Sequence, residues 1–597
     1  MQLLVVTRVE PQLNISSFPD AVEFGIRLTE AQPIGSQKPL ISKVEWLVAT
    51  VSGLALTLTR GVDFGVNQFQ YLLFGLRLRD AQFLPGDWFT WETHHHHFAF
   101  GYLTWLLNAV GPLELTLLLS QAVTLVIFCA GLLVLSKNVT DHGRLTFGLV
   151  LLVVVLYPSE LDGLGGFFLL SNYLQPSQVS GPLLMLGLGA LFARRWMLAG
   201  VLIAVGGVFH GSFLVSFFPV ACLQALACGV WCRKRDIVAF LGPLVLAGLV
   251  FIVLVAYSGG IGEADAESMR IMTHFRSPHH YVVSSWIQFS GVWLLLWIAW
   301  TVLAILALVS DPRRGWFDPM VVSFGAAALI TSGSVMQAYL ENWPALTSLG
   351  LWRVAPWVHY LSLVLVAGRL LDLMLNKGVG AWQMLDVAFV ILLLTFVLIW
   401  AGTEWQGLLV LFPAVFLWKL DWRERHAADK AHSKSAQQIV LVFIAVLVTG
   451  AALVGGVRNS FNDMQSPVAS KSLSSLQRWV LDRTPANAVF VVPPDLQMFR
   501  LMMRRPIVVD LKSTPYHPGD LRIWYQRMLD VTGIERSSTV GEIHAGYARL
   551  DVSRARLLRN QYGATHFVVR HRYHQGGLKG MLVHFQNDDF LVLSLPD

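Results

Sequence analysis

Residues 86–97 read GDWFTWETHHHH, which sets two carboxylates, Asp87 and Glu92, and four consecutive imidazoles among aromatic rings. Asp63 and Asp80 precede them in the same polar stretch. A carboxylate held partly buried beside a bound molecule can take a proton from a hydroxyl, because burial raises its pKa and proximity supplies orientation. Asp63, just after the first apolar run, and Asp87, fixed between a Pro-Gly turn and an aromatic pair, are the two candidates for that base. The plainer alternative is a solvated acid beside Arg77, Arg79 or a lipid headgroup. Four adjacent histidines cannot all face one way: in a helix His94 and His97 share a face, whereas in a strand alternate residues do. With oxygens from Glu92 or Asp87, His94 and His97 are candidate ligands for a divalent ion such as Mg or Mn. The alternative for them is interfacial hydrogen bonding to headgroups.

Further segments carry chemistry-bearing residues. YPSELDGLGGFF brings Glu160 and Asp162 to the end of an apolar run, where a carboxylate is costly unless it is paired or open to an aqueous cavity. His210 interrupts two apolar runs in VFHGSFL. Arg353 in LWRVAPWVHY and Arg276 in SMRIMTHFRSPHH could each hold a phosphate through paired N–H groups, or snorkel to headgroups. Glu160, Asp162, His210, Arg276 and Arg353 are the candidate substrate-binding residues.

The elements that must position these residues are membrane spans. The chain is 597 residues long, 54% hydrophobic and 14% charged, with a mean hydropathy of +0.55. A soluble domain carries roughly a quarter charged residues, so this is a polytopic α-helical membrane protein. Apolar runs lie near residues 44–60, 113–136, 144–157, 180–193, 196–209, 211–231, 236–257, 283–309, 319–336, 351–374, 382–400, 405–419 and 438–456, about thirteen spans. Several are too short to cross alone, and the runs flanking His210 also read as one broken helix. The net charge of +6 resides in short loops, which marks topology and not a nucleic-acid partner. The four cysteines all fall in or beside apolar runs, so no disulfide framework is expected. The N-terminus lacks the pattern of a cleavable signal peptide.

Sidedness turns on HFAFGYLTWLLNAV, residues 97–110. If this segment lies flat as an interfacial helix, the clusters at Lys137 and Arg144, Arg194 and Arg195, Arg233 to Arg235, and Arg313 and Arg314 share one face, which the positive-inside rule makes cytoplasmic. Residues 1–43 are then a cytoplasmic segment, 44–456 the transmembrane part with a long first outer loop at 61–112, and 457–597 an extracytoplasmic domain. That tail alternates helix-like runs with β-rich runs (AVFVVPP, RPIVVDL, THFVVRH, DFLVLSLP), which predicts α/β architecture.

HHHHFAFGYLTWLLNAVGPLELTLLLSQAVTLVIFCAGLLVLS is similar to the flat helix, glycine and second span of the GT-C superfamily of membrane glycosyltransferases, and SLQRWVLDRTPANAVFVVPP resembles the start of the outer domain in several members. LRDAQFLPGDWF and FRLMMRRPIVVDLKSTP more specifically resemble uncharacterised bacterial GT-C-like membrane proteins. The resemblance implies a GT-C-like fold in a bacterial cytoplasmic membrane. It also implies transfer of a sugar from a polyprenyl-phosphate-linked donor to an envelope glycan, lipid or protein acceptor on the outer face, among membrane lipid and with an envelope-biogenesis protein as a further partner. An acidic residue early in the first loop acts in that family as base or metal ligand; Asp63 and Asp87 are the matching positions. The carboxylate pair common after the first span is reduced here to Asp63, and the WWDYG signature of oligosaccharyltransferases is missing. A non-catalytic protein that binds or moves a lipid-linked glycan is the alternative.

Overall fold

The computed structural model describes residues 39–60, 65–156, 164, 169–257, 265–311, 313–340, 350–375, 471–537, 539–574 and 577–596. Every apolar run expected between residues 44 and 374 is helical; the runs expected at 382–400, 405–419 and 438–456 lie outside the described residues. The helices are α1 (Lys43–Arg60), α2 (Gln68–Arg79), α3 (Trp88–Glu92), α4 (Phe98–Val110), α5 (Leu113–Val139), α6 (Gly143–Leu156), α7 (Pro176–Phe192), α8 (Trp196–Phe209), α9 (Gly211–Ala227) and α10 (Lys234–Tyr257). They continue as α11 (Ala266–Arg270), the π-helical turn Ile271–Arg276, α12 (Pro278–Tyr281), α13 (Val283–Val309), α14 (Pro319–Leu340) and α15 (Ala355–Leu375), the last preceded by the 3-10 turn Leu351–Val354.

Four segments among the described residues are long and apolar enough to cross a membrane: Leu113–Val139, Lys234–Val253, Pro319–Tyr339 and Leu351–Asp372. At about 1.5 Å per residue, the 27 residues of α5 exceed a hydrocarbon core of about 30 Å. Burial sorts the spans: 83% of the Leu351–Asp372 span is inside the protein, against 6% of Lys234–Val253, whose Val238, Val245, Leu246 and Val253 point outward. An apolar helix with an apolar exterior is stable only in lipid, so the chain is a multi-pass membrane protein. The runs beside His210 are two helices, α8 and α9, that meet at this residue.

The basic clusters at one end of the bundle are neutralised locally. Glu45 takes Lys137 Nζ at 2.9 Å and Arg144 Nη2 at 2.9 Å, and Arg313 pairs with Asp141, Asp311 and Asp372. The N-termini of α5, α7, α9 and α15 lie at the other end, against the segments that carry the candidate site. There α2 crosses α4 closely because both contacts are glycine. A Cβ on Gly75 would sit 2.5 Å from the Gly101 carbonyl oxygen, and one on Gly101 would sit 2.1 Å from the Phe74 ring.

The C-terminal part holds α16 (Lys471–Arg483), α17 (Phe499–Met503), α18 (Pro518–Thr532), α19 (Val540–Tyr547) and α20 (Val552–Tyr562) with a sheet of β1 (Phe490–Val491), β2 (His566–Arg570), β3 (Leu582–Gln586) and β4 (Phe590–Ser594) in the order β1-β2-β4-β3. β1 runs parallel to β2, and the other pairs are antiparallel. The strands alternate cleanly between two cores, as their period of two requires. Val568, Phe590 and Val592 meet α16, while Phe567, Val569, Leu591 and Leu593 face α18 to α20. Two expectations change. RPIVVDL is not a strand, since it contributes a single bridge from Ile507 to Phe490 and sends other backbone groups to side chains. β3 was not foreseen; its Leu582 and Val583 are exposed on the sheet edge, which weakens the hydrophobic pattern.

The second core is shared with the first loop. Phe83, Leu84, Trp88 and Phe89, together with Ile271 and Phe275, complete the apolar layer formed by Trp524, Met528, Ile543 and Leu558. Arg527 lies between the rings of Trp88 at 4.4 Å and Tyr562 at 4.7 Å. The α/β part therefore completes its core only with residues of the loop that carries the histidines.

Candidate functional site

The two motifs LRDAQFLPGDWF and FRLMMRRPIVVDLKSTP meet in a buried charge cluster. Asp87 caps α3 by accepting from Thr90 N at 2.9 Å, and both its oxygens accept from Arg500 Nε, at 3.0 and 2.8 Å. Ile507 N donates a fourth hydrogen bond to Asp87 at 3.1 Å. Arg500 spends its remaining donors on Asp510 and, at 3.2 Å, on the Ile507 carbonyl, and its guanidinium lies 5.5 Å from the Phe89 ring centroid. Asp510 accepts in turn from Lys512 N at 2.7 Å, Ser513 N at 2.5 Å and Ser513 Oγ at 3.0 Å. The side chains of Asp87 and Asp510 are 0% exposed and that of Arg500 is 1% exposed. Asp87 is a candidate base by its place in the sequence, but its oxygens are filled by four hydrogen bonds from three donors and shut off from solvent, which is the geometry of an anchor.

Next to this clasp lies a cluster of opposite character. Arg276 ends the π-helical turn and donates from Nε to Thr514 Oγ1 at 2.7 Å; Lys512 donates to Asn67. Gln70 of α2 fixes the segment by donating to the Thr514 carbonyl at 2.8 Å, and Asn67 reaches Gln175 at the start of α7 at 2.6 Å. Among the described residues no carboxylate lies within ion-pair distance of Arg276 or Lys512. Burial, with the Arg276 charge adding to it and Asp510 opposing it, pushes the Lys512 ammonium down to about 7. Burial likewise lowers Arg276 and brings His279 down to about 4, the latter helped by the Arg276 and Lys512 charges. Tyr71 and Tyr516 are both pushed above the ordinary phenol value, first by burial, so they remain neutral hydrogen-bond donors. Tyr516 nevertheless keeps 43% of its surface open. Arg353, lifted by the Gly350 turn at φ +57°, donates to the Tyr281 hydroxyl at 3.1 Å.

The four histidines do not share one helical face, because residues 93–97 are not helical and α4 begins only after His97. His94 and His96 turn to the C-terminal part, with ring centroids 4.2 Å from His517 and 4.0 Å from Tyr516. His95 turns away from them, whereas the His97 ring packs on that of His96 at 4.2 Å, with Tyr71 beside both. His95 lies 3.1 Å from the Thr90 carbonyl and 4.8 Å from the Phe74 ring, while His97 lies 4.8 Å from Tyr71 and 5.3 Å from His210. Burial pushes His95 down to about 4, His97 down to about 3 and His96 well below the usual imidazole range. His210 caps α9 by accepting from Phe213 N at 3.2 Å.

The structure therefore brings together Arg276, Arg353, His97 and His210 of the expected set. It does not bring Glu92, exposed at the end of α3, and His97 to His94 as a metal site. His94 packs on His517 beside Asp520, whereas His97 packs on Tyr71, His96 and His210. Among the described residues the group whose ligand atoms converge is His94, His517 and Asp520. Asp63, Glu160 and Asp162 lie outside the described residues. Arg500, Asp510, Lys512, Tyr71, Tyr516, His517 and Asp520 are not among the residues expected from the sequence, although the interleaved charges and apolar residues of FRLMMRRPIVVDLKSTP signal buried ion pairing.

A family model described as "Domain of unknown function (DUF6798)" matches residues 471–531, from α16 into α18. Among curated proteins none matches the sequence. Among solved structures the chain is similar to ArnT from Cupriavidus metallidurans, a crystal structure bound to undecaprenyl phosphate, with a TM-score of 0.52 and 13% identity over 93% of this chain and 98% of that one. At this identity the likeness establishes the fold alone, a GT-C-like membrane fold.

Proposed function

From the premise of a GT-C-like fold, we propose that the protein is a glycosyltransferase of a bacterial cytoplasmic membrane that uses a polyprenyl-phosphate-linked sugar on the outer face. The observation that carries this reading is the Arg276–Lys512 cluster, two cations with no carboxylate partner among the described residues, ringed by neutral tyrosines. Such a group is costly until an anion arrives, and a lipid phosphate is the anion that a membrane fold delivers laterally. The relative bound to undecaprenyl phosphate supports the same ligand class.

In the reaction, an acceptor hydroxyl gives its proton to a carboxylate base, its oxygen forms a bond to the sugar C1, and the C1–O bond to the phosphate breaks. The polyprenyl phosphate leaves with the bonding pair, and Arg276, Lys512 and Arg353 stabilise that charge where it develops. Asp63 keeps the role of candidate base or ligand of a divalent metal such as Mg or Mn, and Glu160 and Asp162 that of candidate substrate-binding residues. Asp87 acts instead as the anchor of the loop.

A second reading, binding or transport of a lipid-linked glycan without turnover, draws on one observation: Asp87, Asp510 and Asp520, the carboxylates flanking the cluster, are all hydrogen-bonded to partners of their own. Native mass spectrometry of the purified chain separates the two readings. A transferase retains a polyprenyl-phosphate species and releases lipid phosphate on incubation. Arg276→Ala with Lys512→Ala loses the lipid, whereas Asp63→Asn keeps it and stops release. Lipid held without release in wild type favours the binding reading, and no lipid at all overturns both.

A further inference from the structure

We propose that His94, His517 and Asp520 form a binding site for a zinc-class divalent ion that ties the first outer loop to the C-terminal α/β part. One ligand atom from each residue lies within 4.8 Å of the other two. His94 Nδ1 is 2.7 Å from Asp520 Oδ2, while His517 Nδ1 is 4.0 Å from Asp520 Oδ1. The second separation is too long for a hydrogen bond, and the two gaps bracket the spacing of roughly 3.3 Å between ligand atoms of a tetrahedral ion with bonds of about 2.0–2.1 Å.

His517 Nδ1 makes the case specific. It is buried and has no hydrogen-bond partner, a state that costs about 1–3 kcal/mol in a folded protein and is relieved by a ligand. Its ring stacks on that of His94 at 4.2 Å, so both Nδ1 atoms face the same carboxylate. His517 and Asp520 flank Pro518 and Gly519 at the start of α18, which fixes their spacing, and the Asp520 carboxylate is oriented by His94 N at 2.8 Å. Two imidazoles with one carboxylate suit zinc-class ions, whereas magnesium and calcium prefer all-oxygen sets.

The ion has a positioning task. His517 directly follows Tyr516, whose ring lies 4.0 Å from His96 beside the cation cluster. Holding His94 to α18 thus holds the wall of the cluster closed across a sequence separation of 426 residues. This inference stands apart from the transferase reading, because it concerns metal content and loop docking.

The test uses the full chain in detergent, stripped with chelator, exposed to micromolar zinc and passed through gel filtration. Metal analysis should return about one equivalent per chain, as a single closed site requires. His517→Ala and Asp520→Asn should each lose it, while Glu92→Gln and Lys512→Ala retain it. Wild type should gain thermal stability with zinc and shield the 93–97 segment from proteolysis. Cobalt(II) substitution of the unmutated chain, read by visible absorption, reports nitrogen and oxygen ligation even where a variant fails to fold. Zinc-free wild type, or a His517→Ala protein that keeps its equivalent, would overturn the proposal.

Discussion

Asp510 and Lys512 are two residues apart, yet they belong to regions built on opposite electrostatic plans. In the clasp, two carboxylates and a guanidinium are almost wholly removed from water, and their charge is met by one another and by backbone N–H groups. In the neighbouring cluster, Arg276 and Lys512 face neutral hydroxyls and amides with no carboxylate in reach among the described residues. The clasp satisfies its charges internally and so specifies how the loop docks. Among the described residues the cluster has no carboxylate to meet its positive charge, which suits it to an anionic ligand. The difference separates residues kept for architecture from residues kept for binding, even though both lie in one short motif.

The sharpest way to break this comparison is to remove Arg500. Arg500→Ala strands Asp87 and Asp510 as buried anions, so it should destabilise the protein by about 3–5 kcal/mol. Asp87→Ala, which leaves Arg500 with Asp510 alone, should cost less but still lower the thermal midpoint. Arg276→Ala, by contrast, should leave the midpoint nearly unchanged and weaken lipid-phosphate binding. Differential scanning fluorimetry in detergent compares the three. A wild-type midpoint for Asp87→Ala would return Asp87 to the set of candidate bases.

A smaller effect sharpens the other half. Lys512 has its ammonium at about 7 in the folded chain against 10.5 for an ordinary lysine. Between those values the unfolded chain holds more protons, so ligand-free stability rises as pH increases from about 7 towards 10.5. Anion binding runs the opposite way, because the phosphate needs the protonated amine. Affinity for a polyprenyl phosphate should fall by up to about tenfold per pH unit above 7. Lys512→Arg, charged throughout, should flatten that dependence in fluorescence or native-mass titrations. An unchanged slope in the variant would assign the binding charge elsewhere.

How much of this was legible in the sequence depends on the range of the interaction. The spans were readable because hydropathy is local, and the break at His210 sits where two apolar runs meet. Helix-like runs of the tail are legible too, as in SRARLLRNQYG, which covers most of α20. RPIVVDL carries the composition of a strand, but its backbone groups are drawn off by Asp87 and Arg500. No local pattern announces a partner 420 residues away. For the same reason Arg276 was foreseen as a phosphate ligand and Lys512 was not, since the latter acquires its character only when α2 and the π-helical turn close around it.

The smallest effect concerns the histidines that line the border between the two regions. His95 and His97 are held neutral by burial, at about 4 and about 3, against 6.5 for an ordinary imidazole. Their folded values are depressed, so the stability linked to them is fully present above pH 6.5 and is lost as pH falls towards 4, where the unfolded chain takes up protons that the folded chain refuses. Protonating His97 would add a cation beside the Arg353 charge, whereas His95 would lose its place between Phe74, Phe89 and the Thr90 carbonyl. The thermal midpoint should therefore decline through that window, and His95→Gln should make the decline shallower while leaving the clasp intact. Scanning fluorimetry from pH 7.5 to 4.5 reads both traces; coincident slopes would move the acid sensitivity away from the loop and onto other buried groups.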